Sequence, residues 1–287
     1  MMTRRLFLFA SFLQDGQAGA ALRRLVGCLD SLGDVVYYAD SDASAQALDS
    51  LAPITLYAGA SRHGEYDFGS YKRCLRWAEA NLDLASYDYL YLVNDSVFGP
   101  LRSLEPYLVE LEASGRQALC LAYCPDRKHP HMQSWFVGLG PDIFRSAWFK
   151  AFLEGVSAEA DKQAVCVKYE TGLSELIAGK GYDVFYLFRT PRKAVYNSPL
   201  ALFRKGFPFV KKSSFVRHEG CLGHGLGKIM LSTDAAGDIV SEAGMLWGVE
   251  YVESLLACSR IESAWRYLKY LYGKISRSRD KSASRRL

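Results

Sequence analysis

The sequence predicts an α/β fold: a mostly parallel, twisted sheet flanked by helices, with a C-terminal helical extension. Three observations predict it. Short apolar runs of strand length alternate with helical patterns, in a number that suits a sheet domain of about 190 residues. Gly33 and Gly181 stand at helix ends, where the chain needs a stop. Beyond Thr190 the alternation gives way to Pro- and Lys-rich chain and then to aromatic residues at helical spacing. The 287 residues, 49% hydrophobic and 23% charged, suffice for one large domain or one and a half, which rules out disorder over most of the length.

The first strand is expected at 6–12, an uninterrupted apolar run, followed by a helix over 17–32 whose apolar positions recur every three to four residues. Arg4-Arg5 before that run and Ala18-Gly19-Ala20 after it imitate a secretory signal, but the continuation reads better as a helix after a buried strand. Further strands are expected at 35–39, 54–57, 89–93, 118–123, 134–139 and 184–188, each a short apolar run. Helices are expected over 69–82, 103–113, 142–154 and 165–179. The stretch 190–214, with Pro191, Pro199, Pro208 and Lys211-Lys212, is long for a structureless connection and reads as a lid. Trp247, Tyr251, Leu255, Cys258, Trp265, Leu268 and Tyr272 then mark helices folding back onto the sheet. The resulting division is 1–215 for the sheet domain, 216–273 for a lid and helical segment, and 274–287 for a basic tail without fixed structure.

Charge and cysteine usage narrow the class. The net charge of +4 is concentrated in 274–287, where six Lys and Arg stand against Asp280, so the body is close to neutral. A neutral body argues against nucleic acid as a partner. The tail suits an anionic membrane leaflet. No apolar run approaches the roughly 20 residues of a membrane span. Seven cysteines, an odd number without framework spacing, read as reduced core thiols in a cytoplasmic protein.

Several motifs fail on inspection. Asp67-Phe68-Gly69 lacks the other kinase signatures. The glycine-rich stretch 220–228 has Leu222 and Ile229 where a phosphate loop needs Gly and Ser or Thr. Cys120, Cys124, His129 and His131 do not make zinc spacing, since Cys120 falls inside a buried strand.

Two carboxylates carry the chemistry. The apolar strand before Asn94-Asp95-Ser96 ends abruptly, placing Asp95 at the carboxyl edge of a parallel sheet, where ligands bind. A cation carrying phosphates takes one or two protein carboxylates, so Asp95 is the expected metal ligand. Glu170 is expected in the first turn of a helix, where the macrodipole favours the ionised carboxylate. Glu175 lies about 140° further around that helix and points elsewhere.

These blocks, with Tyr66-Asp67-Phe68-Gly69-Ser70-Tyr71-Lys72, His131-Met132-Gln133-Ser134-Trp135-Phe136, Gly181-Tyr182 and Gly206 to Lys211, occur in order across about residues 4–215. The ordered set resembles the rhamnan synthesis protein F family, glycosyltransferases of GT-A type linked to lipopolysaccharide and other cell-surface polysaccharide. The resemblance implies transfer of a sugar, most plainly L-rhamnose from dTDP-L-rhamnose, to a growing glycan or lipid-linked acceptor, with inversion and with Mn²⁺ or Mg²⁺ assistance. It implies Glu170 as base, Asp95 as metal ligand, Asp40, Asp67, Lys72, Asn94 and Lys211 around the nucleotide and its phosphates, and His131, Gln133 and Ser134 on the acceptor side. The enzyme is expected in the cytoplasm or peripherally on the inner face of the cytoplasmic membrane. Two rivals stay open: a UDP- or GDP-sugar donor, and a catalytically silent glycan-binding or scaffold protein. Asn94 beside a single Asp departs from the Asp-x-Asp motif of the wider fold, which makes the metal weakly held or dispensable.

Overall fold

A computed structural model describes residues 3–283, with the side chains of Arg192 and of 275–283 excepted. Ten strands form around one large sheet: β1 (Arg5–Ser11), β2 (Asp34–Ala39), β3 (Tyr57–Ala60), β4 (Tyr89–Asn94), β5 (Val97–Phe98), β6 (Ala118–Cys124), β7 (His131–Met132), β8 (Phe136–Leu139), β9 (Val184–Arg189) and β10 (Val210–Lys211). The order across the sheet is β3-β2-β1-β4-β8-β6, with β7 on the same side of β6 as β8, and β9 pairing β6 in parallel. Only β7 and β8 run antiparallel to their neighbours; the other pairings of the large sheet are parallel. β5 and β10 make a separate antiparallel pair. The mixed α/β architecture is the one the sequence predicts.

The central strands are apolar because helices cover both faces of the sheet. Phe7, Phe9, Tyr91 and Val93 pack into one core with Leu22, Leu25 and Leu29 of helix Ala20–Asp30. Leu6, Leu8, Leu90 and Leu92 pack into the other with Phe68, Tyr71 and Leu75 of helix Tyr66–Asn81. Burial on both faces removes the polar alternation of a half-exposed strand. The apolar run that imitates a signal h-region is thus an interior strand of the sheet.

Some boundaries move for identifiable reasons. A helix, Ala45–Leu51, capped by Ser44 and continued by the turn Ala52–Ile54, occupies the start of the run expected as a strand at 54–57. β3 begins only at Tyr57, opposite Val36. The helix expected over 142–154 breaks before Ala147, because the Ser146 hydroxyl caps a new helix by accepting the Phe149 N–H at 3.2 Å. The stretch 190–214 holds helices Ala194–Asn197 and Pro199–Arg204 and ends in β10, buried against β5, so it is built into the core rather than laid over it.

Beyond it, helices Gly223–Met230, Ala236–Trp247 and Val249–Leu256 share a third core with Phe98, Leu101 and Phe215. The last helix, Arg260–Ala283, covers part of the expected basic tail, whose remaining residues 284–287 lie outside the described residues. Among the described residues no helix is long and apolar enough to cross a membrane.

Candidate active site

The chain leaves β1 for β2 and β3 on one side and returns to β4 on the other. The carboxyl ends of β1 and β4 therefore flank a switch point, where side loops diverge and leave a crevice. Asp95 sits in it. Its N–H donates to the Ala10 carbonyl at 3.2 Å, and its Oδ2 accepts from the Phe12 N–H at 3.4 Å. Phe12 itself is 56% exposed at the same rim.

A hydrogen-bonded chain runs from here across the rim. Lys211 Nζ donates to Ser96 Oγ at 2.7 Å, Ser96 Oγ donates to Asn94 Oδ1, and Asn94 Nδ2 donates to Asp67 Oδ2 at 3.0 Å. Pairing of β10 with β5 presents Lys211 to the turn after β4, and Asp67 comes from the first turn of helix Tyr66–Asn81. Burial first, then the charge of Asp95 and more weakly that of Glu170, push the Asp67 carboxyl up to about 7, against Lys162 and Lys211. Burial pushes the Lys211 ammonium down to about 8, against the pull of Glu170 and Asp67. These mutual influences put Asp67, Asp95, Glu170 and Lys211 in one electrostatic neighbourhood.

Glu170 reaches it differently from the expectation. It does not open a helix: it lies in a π-helical stretch, Cys166–Thr171, inside a helical run that Asp161 caps at Lys162 and that continues through Gly179. The helix macrodipole therefore has no end to act from at this position. The wider turn carries the carboxylate toward the sheet, where Oε1 accepts the Ser134 N–H at 2.9 Å. Ser134 thus meets the site through its backbone, and its carbonyl accepts from Tyr71.

Other expected residues have different surroundings. Asp40 accepts from the N–H groups of His63, Gly64 and Tyr66 at 2.8–2.9 Å, holding the turn in which Tyr66 takes φ +56°. A left-handed non-glycine residue costs about 1–2 kcal/mol, and these three bonds offset it. Asp40 thereby aims Asp67, one residue on. Lys72, five positions after Asp67, faces away and is buried, donating to Glu65 at 2.8 Å and to the Val156 carbonyl at 2.7 Å. Gln133 is buried beside the Ala122 carbonyl, and His131 lies on β7 with Nδ1 2.7 Å from the His129 carbonyl.

Three further groups stand at the rim: Lys212, expected only as part of the lid, and Glu242 and Trp135, for which no role was expected. Lys212 Nζ stands 3.6 Å from Asp95 and 2.8 Å from Glu242, which is buried in helix Ala236–Trp247. Burial alone would lower the Lys212 ammonium, yet the two carboxylates hold it above its ordinary value. Glu242 also accepts the Leu22 N–H at 2.8 Å, and Gly19 admits it: a Cβ there would lie 2.2 Å from Glu242 Oε2. Trp135, 1% exposed, leaves its indole N–H without a partner among the described residues, and Lys211 Nζ lies 5.3 Å from its ring centroid. The Pro- and Lys-rich composition signals Lys212; nothing local signals Glu242.

Among the described residues no three His, Cys, Asp or Glu side chains gather as a metal centre. A cation carried by a diphosphate needs fewer protein ligands, one or two carboxylates, and Asp95 and Asp67 meet that requirement. Burial first, and then the charge of Asp95, raise the Asp67 carboxyl, and a divalent cation bound there would favour its ionised form.

The family model for rhamnan synthesis protein F matches residues 60–242, more than half of the chain. The chain belongs to that family. The match of this rhamnan synthesis protein F member extends past the boundary expected at 215 and takes in Asp67, Asp95, Glu170, Lys211, Lys212 and, as its last residue, Glu242. Solved structures similar to it include a protein assigned as a nucleotide-diphospho-sugar transferase from Desulfovibrio desulfuricans G20, at 13% identity over 87% of this chain and 99% of that one, with a TM-score of 0.42. The mannosyltransferase Ktr4p from S. cerevisiae is similar at 7% identity, 53% and 59% coverage and TM-score 0.35. Core-mannan synthase A from Aspergillus fumigatus, in an Mn/GDP form, is similar at 12% identity, 64% and 73% coverage and TM-score 0.36. A comparison with curated proteins finds no match.

Proposed function

We propose that this chain is an inverting glycosyltransferase that moves a sugar, L-rhamnose from dTDP-L-rhamnose, onto a glycan of bacterial surface polysaccharide, acting in the cytoplasm or at the inner face of the membrane. Family membership supports the class of reaction. The single observation that supports the mechanism is the hydrogen-bonded chain from Lys211 through Ser96 and Asn94 to Asp67, with Asp95 and Glu170 both acting on the Asp67 carboxyl.

In the proposed reaction the acceptor hydroxyl oxygen bonds to the anomeric carbon while the bond from that carbon to the diphosphate oxygen breaks on the opposite face. The hydroxyl proton goes to the Glu170 carboxylate, which the Ser134 N–H keeps oriented. The leaving nucleoside diphosphate takes the bonding electron pair, and its growing charge faces the ammonium groups of Lys211 and Lys212 and the indole N–H of Trp135. A divalent cation held by Asp95 and Asp67 supplies further charge compensation there when bound. Phe12 offers an exposed ring at the rim on which a base can stack.

The test is a thermal-shift series with dTDP, UDP and GDP, with and without Mn²⁺, followed by turnover of the matching sugar donor. A rise in melting temperature confined to dTDP supports rhamnose transfer, and a rise with UDP or GDP alone reassigns the donor. One observation favours the silent-scaffold reading: the Lys212 ammonium already stands 3.6 Å from Asp95, though it is shared with Glu242. Release of nucleoside diphosphate from the donor without acceptor separates the two, since a scaffold releases none.

A further inference from the structure

Helix Arg260–Ala283 carries four large apolar side chains on one side, Ile261, Trp265, Leu268 and Tyr272, and they are 71%, 60%, 54% and 78% exposed. Their spacing of four, three and four residues places them within a strip about 60° wide along the helix. The opposite side is the one that docks. The Ser263 hydroxyl accepts the His224 N–H at 3.0 Å, Tyr270 and Tyr267 pack against the His218 ring, and Arg266 reaches Ser254. The exposed strip is therefore not the residue of a poorly packed helix; the helix is seated and turns a second apolar face outward.

We propose that this strip is a membrane-contacting face, lying in the headgroup region of an anionic lipid surface. Two features commit it to that occupant. Trp and Tyr have an apolar body with a polar tip and suit the headgroup boundary better than a dry interior. The same helix carries seven Lys and Arg against Glu262 and Asp280 in a chain whose net charge is only +4, so its charge is complementary to anionic headgroups. A second copy of the chain would set one such basic helix against another, which like-charge repulsion opposes. The contact goes beyond sugar transfer and does not depend on it. It would hold the rim of the sheet near acceptors displayed on a membrane.

The test is co-sedimentation of the full chain with phosphatidylcholine vesicles containing phosphatidylglycerol, beside vesicles of phosphatidylcholine alone. The wild type is expected to bind the anionic vesicles selectively, and the double variant Trp265→Glu/Leu268→Glu to lose binding by about tenfold or more. Both positions are exposed, so the variant should keep its melting temperature, and circular dichroism checks this. Failure of the wild type to bind, or unchanged binding by the double variant, overturns the proposal. So does a wild type that is dimeric without vesicles, becomes monomeric in the double variant and ignores lipid, which would make the strip an interface between copies.

Discussion

Two ends of the same pair of strands handle buried charge in opposite ways. At the amino ends of β1 and β4, the Arg5 guanidinium meets Glu112 through two bonds of 2.6 and 2.7 Å, and Tyr91 donates a third to the same carboxylate at 2.7 Å. Hydrogen bonding to Glu112, working against burial, raises the Arg5 guanidinium above its ordinary range. At the carboxyl ends, Asp95 and Lys212 stand 3.6 Å apart. Asp67 has no ion-pair partner among the described residues and is raised to about 7, while Lys211 is lowered to about 8. A closed, fork-shaped pair stabilises the fold and asks for nothing further. Charges held off their ordinary ionisation, in a crevice, mark a place where a ligand completes the compensation.

The comparison breaks first at Glu170. Glu170→Gln keeps the bond from Ser134 but removes the proton acceptor, and turnover should fall by about 10²–10⁴-fold with an unchanged melting temperature. Equal turnover in variant and wild type would take Glu170 out of the mechanism. Asp95→Ala should also fall by orders of magnitude under the same assay, through the diphosphate rather than the proton.

The opposite end should respond in stability instead. Arg5→Met leaves Glu112 buried without its cation and should cost about 3–5 kcal/mol in denaturant unfolding. Nucleotide affinity per folded molecule should not change. A large loss of affinity in that variant would show that the two ends are coupled.

A smaller effect is expected at Lys211. Lys211→Met should weaken nucleotide binding by about tenfold at neutral pH, the loss of one charge-assisted contact. Because the folded wild type holds this ammonium only to about pH 8, its nucleotide affinity should already decline as the pH rises through 8, and the variant should lack that decline. Isothermal titration at several pH values reads both.

A further effect, read in stability rather than affinity, belongs to Asp67. Its folded carboxyl is raised to about 7 from 3.8, so the stability it contributes is complete below about pH 4 and is lost as the pH rises through 7. The melting temperature of the nucleotide-free protein should therefore drop between pH 5 and pH 8, and Asp67→Asn should flatten that part of the profile. An unchanged slope would mean that Asp67 is not held unfavourably when ionised.

Much of the fold was legible because it rests on local patterns. The runs around Leu6 and Tyr89 read as buried strands since both faces of those strands are covered, and Asn94-Asp95 read as a strand end because polar residues interrupt an apolar run. Helix Ala45–Leu51 escaped notice: it is seven residues long, with only Ala47 and Leu51 buried, too short for periodicity to show. Glu170 was recognised by its neighbours in sequence, yet its π-helical setting was not, because the pattern of apolar residues does not distinguish one widened turn. Lys72 and Asp40 have residue types that suit a phosphate or a ribose, and only their partners show them tied to backbone groups and to Glu65.

By itself the sequence determined the layered α/β architecture, the strand that ends at Asp95 and the family to which the chain belongs, since each is written in contiguous residues. Tertiary structure alone decided which charges meet. Glu242 comes within 2.8 Å of Lys212, which lies 3.6 Å from Asp95, only because a helix some 150 residues further along the chain than Asp95 packs over the switch point, where Gly19 leaves room for it. Coulomb interactions depend on distance in space, and distance along the chain does not report it.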